Sequence, residues 1–171
     1  MNFAMNIEHW ALIDGYDNYE ISSFGRVRNN KTSRIANINT DDKGYYRIQL
    51  RKDGSGKTHR VHILVAFAFL EKKEEHTQVD HIDRNRGNNM LSNLRWATRS
   101  ENNRNASKSK NNTSGIQGVH FDKKGNRWIS TWYGEKKYTK SFSVKTYDDQ
   151  AKPMADEHRK LMAKENGYLN V

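Results

Sequence analysis

Pairs of turn-forming residues divide most of this chain into short runs, which limits it to small sheets and short helices. Such pairs recur in both halves of the sequence, at Asp14-Gly15, Lys43-Gly44, Asp53-Gly54, Gly125-Asn126 and Gly134-Glu135. Between them stand strand-like runs with alternating apolar residues, such as Tyr46, Ile48 and Leu50. Because hydrophobic residues make up only 34% of the 171 residues, several small modules are favoured over one large core. The predicted fold class is α+β.

Four consecutive segments are predicted. Residues 1–56 form a β-rich N-terminal element, and residues 57–105 form a second module. Residues 106–113 have no large apolar side chain and are typical of a linker, and residues 114–171 form a C-terminal domain.

The second module follows the order strand, loop, strand, helix. Its apolar lead-in, Val61 to Leu70, predicts a strand end followed by a buried helix. Gln78–Ile82 and Leu94–Ala97 are the two strands, joined by a polar loop. Thr98 and Glu101 fit a capping box, so a helix is predicted to begin at about Arg99.

The C-terminal domain is predicted to contain three strands and one helix. The strands lie near Val119–Phe121, Arg127–Tyr133 and Lys137–Phe142. The helix runs from about Thr146 to Asn166, with Ala151, Met154, Ala155, His158, Leu161 and Met162 on one face and Gly167 as its stop. Pro153 inside this helix would cost roughly 3 kcal/mol, so the helix either bends there or begins later.

The charge of the chain points to a polyanionic partner. The formal net charge is +10, and self-repulsion makes such an excess unfavourable for folding alone. A membrane surface is the less suitable partner, because the sequence has no spanning apolar stretch, no basic amphipathic anchor and no signal peptide. The absence of cysteine excludes disulfides and thiolate zinc sites, so any metal must be held by oxygen and nitrogen ligands.

Four polar residues of the second module form a candidate catalytic set. Asp80 and His81 end its first strand, Asn93 lies 13 residues after Asp80, and Asn102 lies 9 residues further, in the helix. The hairpin brings Asp80 near Asn102, and a carboxylate with an amide oxygen suits Mg²⁺. An imidazole at His81 is a natural general base. From spacing alone these residues are more typical of a solvated surface and a turn than of a catalytic site, and strand neighbours share one site only if the pleat breaks.

The same region resembles the HNH homing endonucleases of phages and introns. The matching residues are Val79-Asp80-His81-Ile82-Asp83, Asn88-Asn89, Leu91 to Thr98, and Glu101-Asn102. The resemblance implies a ββα-metal core in which Asp80 and Asn102 bind Mg²⁺ or Mn²⁺ and His81 is the general base. It implies that Asn93 bonds across the loop and holds His81 in place. Asparagine at 102, where many relatives have histidine, argues against zinc. His62 is interpreted as structural.

The N-terminal segment resembles a modular motif that often precedes such nucleases. The matching runs are Trp10 to Tyr16, Tyr19 to Ser22, and Phe24 to Arg28. The resemblance implies a β-rich element that touches DNA, with Arg26 and Arg28 as candidates, although a plain β-hairpin would show the same pattern.

The C-terminal segment is similar to the APETALA-two class of DNA-binding domain, in which a three-stranded antiparallel sheet packs on one helix and enters the major groove. The matching runs are Ser114 to Val119, Arg127 to Ser130, and Lys140 to Phe142. Residues 103–145 carry ten basic and two acidic side chains, most of the excess charge of the chain. The candidate DNA-binding residues are Arg127, Thr131, Trp132, Lys136, Lys137 and Thr139, with Arg99 and Arg104 on the helix of the second module.

The leading hypothesis is a site-directed endonuclease that hydrolyses double-stranded DNA with one divalent metal ion, in the cytoplasm of a bacterial or phage-infected cell. Alternatives are a non-catalytic, sequence-specific DNA-binding regulator and, ranked lowest, an RNA-binding protein. No obligate protein partner is indicated. A monomer with one site would nick one strand, whereas a homodimer would allow double-strand breaks.

Overall fold

The structure is a computed structural model that describes residues 7–106 and 111–168. These residues form two compact units, which divide between Asn103 and Arg104. Both units combine small antiparallel sheets with short helices, so the α+β prediction is confirmed. The predicted linker includes residues 107–110, which lie outside the described residues. No helix within the described ranges is both long and apolar enough to cross a membrane.

The first unit contains eight strands in three sheets, with two helices. Its strands are β1 (Trp10–Ile13), β2 (Tyr16–Ser22), β3 (Val27–Asn29), β4 (Asn39–Thr40), β5 (Tyr46–Lys52), β6 (Ser55–Arg60), β7 (Gln78–His81) and β8 (Leu94–Ala97). Its helices are α1 (Val61–Phe69) and α2 (Arg99–Asn105), the latter ending just past the division. The sheets have the orders β1-β2-β3, β4-β5-β6 and β7-β8.

Helix α1 joins these sheets into one core. It packs against strands of all three sheets, and one hydrophobic cluster extends from Ile13 and Ile21 through Val65 to Leu94 and Trp96. A helix that is apolar on nearly all sides is stable only where other elements cover most of its surface. The position of α1 between the three sheets provides this cover. Residue 56, the predicted domain boundary, lies within β6, and the two predicted segments share this core.

The β7–β8 hairpin and α2 have the predicted order and nearly the predicted bounds. Strand β7 pairs with β8 from Gln78 opposite Ala97 to His81 opposite Leu94. The capping box is present at the start of α2: the Glu101 N–H donates to Thr98 Oγ1 (3.2 Å), and the Thr98 N–H donates to Glu101 Oε2 (2.7 Å). This reciprocal pair satisfies N–H groups that a helix start would otherwise leave unbonded.

In the second unit, one helix packs against one face of a three-stranded sheet. The strands β9 (Val119–Asp122), β10 (Arg127–Tyr133) and β11 (Lys137–Ser143) have the antiparallel order β11-β10-β9. The helices are α3 (Val144–Tyr147) and α4 (Ala151–Glu165), and Asp148–Gln150 forms a 3₁₀ turn between them. The core contains Val119, Phe142, Ala151 and Ala155.

The predicted helix begins later than Thr146, which is one of the two alternatives that Pro153 left open, and one part of its predicted buried face is wrong. Because α4 begins at Ala151, Pro153 lies in its first turn, where a missing N–H costs no hydrogen bond. Leu161 is exposed, whereas Arg159 is buried with its guanidinium 4.3 Å from the Tyr168 ring. The predicted stop is present, since Gly167 has φ +67° and the Tyr168 N–H donates to Ala163 O (2.9 Å).

Candidate active site

His81 ends β7, and its side chain is buried in a pocket made by three separate parts of the first unit. The His62 ring, on α1, lies edge-on to it with the ring centroids 4.8 Å apart. The Tyr45 ring, from the turn before β5, is 6.1 Å away. On the loop side, His81 Nε2 lies 3.2 Å from Asn89 Oδ1. The imidazole is therefore held in one orientation by a helix, a turn and the hairpin loop.

Asn89 determines which nitrogen of His81 carries the hydrogen. Its Nδ2 donates to Gly87 O (3.2 Å), which turns its Oδ1 toward His81. Because Oδ1 is only an acceptor, Nε2 of the neutral ring carries the hydrogen and Nδ1 carries the lone pair. Gly25 (φ +78°) permits this arrangement, since a Cβ there would come within 2.8 Å of Asn89 Cβ.

Burial keeps both histidines of the pocket neutral. It is the largest cause of the lowered pKa of His81, and the hydrogen bond to Asn89 and the charge of Asp83 oppose it. Burial, with smaller contributions from His81 and Arg60, lowers the pKa of His62 to about 3. A neutral imidazole at His81 can accept a proton at neutral pH.

Asp80 and Asn102 lie on the other face of the hairpin. Arg95, opposite Asp80 on β8, donates Nε and Nη2 to Asp80 Oδ2 at 3.0 and 2.8 Å. Gln78 shares the face of Asp80 because alternate strand residues point the same way. Asn102 on α2 donates Nδ2 to Gln78 Oε1 (2.6 Å), so its amide reaches this face.

The pleat of β7 continues through His81, which is still paired with Leu94. A regular strand directs neighbouring side chains to opposite faces. Accordingly Asp80 contacts Arg95, whereas His81 contacts His62 and Asn89. The chain then turns, with the Arg84 N–H donating to His81 O (2.9 Å). The two side chains thus lie on either side of the strand end.

Asn93 bonds across the loop, as expected. Its side chain forms hydrogen bonds with backbone groups and with the Asp83 carboxylate, and not with the imidazole of His81. Its Oδ1 accepts the Asp83 N–H (3.0 Å), and its Nδ2 donates to Asp83 Oδ1 (2.9 Å) and to Asn88 O (2.8 Å). Its carbonyl accepts the Ile82 N–H (2.8 Å). Asn93 therefore fixes the chain that leaves His81, and Asn89 contacts the ring itself.

Sequence reasoning missed Asn89, Gln78 and the site-facing position of His62. The neighbouring Asn88-Asn89 pair belongs to the matching pattern, but nothing in the spacing distinguishes which asparagine turns inward. Asn89 is buried, whereas Asn88 is half-buried and bonds Asp83. His62, interpreted as structural, is indeed buried in the core, but its ring also faces His81.

The donor set on the Asp80 face is one carboxylate and one amide. Among the described residues, no group of three or more histidine, aspartate or glutamate side chains is placed to hold a metal ion. Asn102 bonds Gln78 through its nitrogen, so its oxygen is the atom left for a cation. Such a set fits a hard ion that keeps most of its coordination for water and phosphate oxygens.

In the second unit, β10 has one face toward the helix and one away from it. Trp128, Ser130 and Trp132 face α4, and Ser130 Oγ lies 3.2 Å from His158 Nδ1. Trp132 stacks on Tyr138 with centroids 5.5 Å apart and also contacts His158. The prediction of Trp132 as a DNA-binding residue is not supported by this position, because its ring packs on the helix side.

The opposite face of the sheet carries polar side chains and one prominent guanidinium. Thr131 pairs with Thr139, and Lys137 pairs with Tyr133; Thr139 and Lys137 are exposed, and Thr131 is half-buried. Arg127 lies at the other end of the face and donates Nε to Asp122 Oδ2 (3.0 Å). Lys136, in the turn before β11, is also exposed.

The Arg127–Asp122 pair is anchored through Asp122 to the turn between β9 and β10. Asp122 Oδ1 accepts the N–H groups of Lys124 and Gly125, both at 3.2 Å. The Gly125 N–H and the Arg127 guanidinium lower the pKa of Asp122. A Cβ at Gly125 would come within 2.6 Å of Asp122 Oδ2 and 2.7 Å of Arg127 Nε, so a larger residue there would displace these two side chains.

The remaining candidate cations differ in their surroundings. Arg99 is exposed at the start of α2, and Arg104 is half-buried near its end. Arg28 lies 4.1 Å from the Trp10 ring centre and donates Nε to Glu20 (2.6 Å), while Arg26 bonds Glu8. These two N-terminal arginines are therefore already paired with carboxylates.

Three family models match successive parts of the chain. The NUMOD4 motif matches residues 8–51, the HNH endonuclease model matches residues 59–104, and the AP2 domain matches residues 114–165. Together they cover the N-terminal element, the hairpin with its helix, and the C-terminal sheet.

Individual relatives agree with these models. The DNA endonuclease I-HmuI of Bacillus phage SP01 is 44% identical over 90 residues, 52% of each chain. The H-N-H endonuclease F-TflII of Escherichia phage T5 is 32% identical over 92 residues, 53% of this chain and 48% of that one. The chain thus spans about half the length of these curated relatives. A solved structure described as "DNA binding and cleavage by the HNH homing endonuclease I-HmuI" matches with TM-score 0.54 and 32% identity, over 83% of this chain and 82% of that one.

Proposed function

Because this chain belongs to the HNH homing endonuclease family, we propose that it is a site-directed DNA endonuclease. It hydrolyses phosphodiester bonds with one divalent metal ion, Mg²⁺ or Mn²⁺. The observation that carries the proposal is the buried, neutral imidazole of His81, held by Asn89 at the end of the strand whose opposite face carries Asp80 and Asn102.

His81 is the general base in this proposal, and Nδ1 is its reacting atom. Nε2 is engaged by Asn89, so Nδ1 takes the proton from the attacking water. Asn89 then stabilises the imidazolium, because its Oδ1 continues to accept the Nε2 hydrogen. Asn93 supports this geometry indirectly by fixing the backbone after His81. His62 packs edge-on against the ring and helps to hold its orientation.

Asp80 and Asn102 are the residues that would hold the metal ion, through one carboxylate and one amide oxygen. When bound, such an ion neutralises the charge that develops on the phosphoryl oxygens. Arg95 already fixes one carboxylate oxygen of Asp80, and Gln78 fixes the nitrogen of Asn102. These partners orient the two ligands before any ion arrives, which is how neighbours of metal ligands raise affinity.

The exposed face of the C-terminal sheet supplies much of the affinity for double-stranded DNA. Lys136 and Lys137 in this unit, and Arg99 at the start of α2 in the first unit, meet phosphates, which fix position but carry no sequence information. Arg127 is the residue of this face best placed to read a base, because Asp122 holds its Nε and leaves its two terminal nitrogens as a fork for guanine.

Plasmid cleavage tests the proposed function. We expect the purified chain to nick or linearise supercoiled plasmid in Mg²⁺ or Mn²⁺, and we expect excess EDTA to stop the reaction. The product pattern on an agarose gel measures both outcomes. Readdition of Mg²⁺ after EDTA is the control for irreversible loss of the protein.

Failure to cut under any divalent metal, with DNA binding retained, would instead support a sequence-specific DNA-binding regulator. Nicked product alone would indicate a monomer with one site. Linear plasmid formed during a single binding event would indicate that two copies of the chain cut the two strands together.

Exchanging Asp122 for asparagine tests how the sheet reads DNA. In Asp122→Asn the amide oxygen can still accept the turn N–H groups of Lys124 and Gly125, but the side chain no longer offers a charged partner to Arg127. A bidentate arginine–guanine pair discriminates by about 1–3 kcal/mol, so we expect roughly 10- to 100-fold weaker preference at one base pair. Selection of bound sequences from a randomised duplex pool measures this preference.

The matched control is Lys124→Ala in the same turn. This substitution removes a positive charge of the kind that contacts DNA phosphates, so we expect it to weaken binding to all sequences alike. An unchanged base preference in Asp122→Asn would show that the pair does not read DNA.

A further inference from the structure

Tyr45 connects the β4–β5 turn to the catalytic pocket. Its carbonyl accepts the Asp41 N–H (2.9 Å), which closes the turn before β5. Its half-buried ring lies with its centroid 5.1 Å from that of His62 and 6.1 Å from that of His81. An aromatic residue of the turn between β4 and β5 therefore forms one wall beside the His81 imidazole.

Two arginines from different elements stack on this one ring. The guanidinium carbon of Arg60, at the end of β6, is 4.6 Å from the Tyr45 centroid. That of Arg86, in the β7–β8 loop, is 4.8 Å from the same centroid. Stacking of this kind holds the planar guanidinium in a defined orientation while leaving its edge free to bond.

The charges of these arginines are poorly compensated within the chain. Arg60 has Asp41 as its nearest carboxylate, at 3.9 Å, which is the outer limit of an ion pair. Arg86 donates Nη1 to a neutral group, Lys43 O (2.9 Å), and forms no ion pair with any described residue. Both side chains are exposed. Two like charges gathered on one ring repel each other unless an anion lies between or beside them.

We propose that Arg60 and Arg86, stacked on Tyr45, form a phosphate clamp that seats the DNA backbone beside His81. The clamp rests on the proposed function and extends it, because it makes the β4–β5 turn and the end of β6 part of the active site. A guanidinium fork matches the geometry of a phosphate and bonds it through two parallel N–H groups. Fixing the backbone next to the general base supplies the orientation that the reaction needs. These arginines are positioning residues, since no proton passes through them.

Binding measured in EDTA tests the clamp without requiring cleavage. Each phosphate contact contributes about −0.9 to the slope of log K against log salt concentration on duplex DNA. We expect Arg86→Ala to reduce this slope by about 0.9 on a short fluorescent duplex. Arg86→Gln, which can keep the hydrogen bond to Lys43, is expected to give the same reduction and separates charge from folding of the loop. The matched control is Arg51→Ala, an exposed arginine that does not stack on Tyr45.

Neutral methylphosphonate linkages then locate the contact. One phosphate at a time is replaced around the mapped cut site, and binding is compared for the wild type, Arg86→Gln and Arg51→Ala. We expect one position near the cut at which replacement weakens Arg86→Gln less than it weakens the wild type, because part of the same contact is already lost. Arg51→Ala should remain additive with that position.

The outcomes distinguish the clamp from the proposed nuclease activity. An unchanged salt slope in both Arg86 variants, or full additivity at every phosphate, overturns the clamp even if the wild type cuts DNA. A reduced slope with the predicted non-additivity supports the clamp. If the wild type binds DNA but does not cut it, no cut site can be mapped, and the phosphates of a random duplex are replaced one at a time instead.

Discussion

We expect His81→Ala to lower the rate of plasmid cleavage by about 10²- to 10⁴-fold, the usual contribution of a general base, and to leave DNA affinity nearly unchanged. The imidazole is buried against His62 and Asn89 and is not part of an exposed basic surface, so its removal takes away a proton acceptor and few DNA contacts. Single-turnover cleavage in saturating Mg²⁺ measures the rate, and fluorescence anisotropy in EDTA measures the affinity.

Two further variants are compared with His81→Ala in the same cleavage assay. Asn89→Ala keeps the base but frees its ring, and loss of a group that orients a functional side chain typically costs about 10- to 100-fold. His59→Gln changes another histidine of the same unit, which bonds Tyr16 on the N-terminal side, and should cut at the wild-type rate. Normal cutting by His81→Ala would remove the base assignment, and equal losses in all three variants would point to a folding defect.

The features best predicted from the sequence are those that depend on neighbouring residues. The capping box at Thr98 and Glu101 is complete within four residues, so α2 begins where the pattern places it. The bounds of β10 and the stop at Gly167 depend on equally local chemistry, namely alternation and a left-handed backbone conformation. The family pattern likewise places Asp80 and His81 at the end of one strand.

The features least well predicted are those that depend on how the loop and helices pack. Asn89 and Asn93 are alike in type and lie in the same loop region, and only the folded loop shows that Asn89 meets the ring while Asn93 meets the backbone. Arg159 is absent from the predicted buried face of α4 because burial of arginine requires a partner, here the ring of Tyr168. No sequence pattern joins Tyr45 to the His81 pocket.

Asp80→Asn is expected to have the second large effect, and it tests the metal rather than the base. The amide oxygen that this substitution introduces can still accept the bonds from Arg95, so the hairpin keeps its cross-strand pair. The substitution removes the only carboxylate of the proposed donor set. Metal stabilisation of the reacting phosphate contributes several kcal/mol, so we expect at least about a 100-fold loss of rate at ordinary Mg²⁺ concentrations.

Titration with metal separates this loss from a structural defect. If Asp80 holds the ion, the Mg²⁺ or Mn²⁺ concentration for half-maximal cleavage should rise by about tenfold or more in Asp80→Asn, and high metal should restore part of the rate. Asn102→Ala should shift the same midpoint in the same direction, because it removes the second ligand. Asp14→Asn, an exposed turn carboxylate of the same unit, should leave the midpoint unchanged. A midpoint equal to that of the wild type in both Asp80→Asn and Asn102→Ala would show that the ion binds elsewhere, and His81 would then have to act beside a different set of ligands.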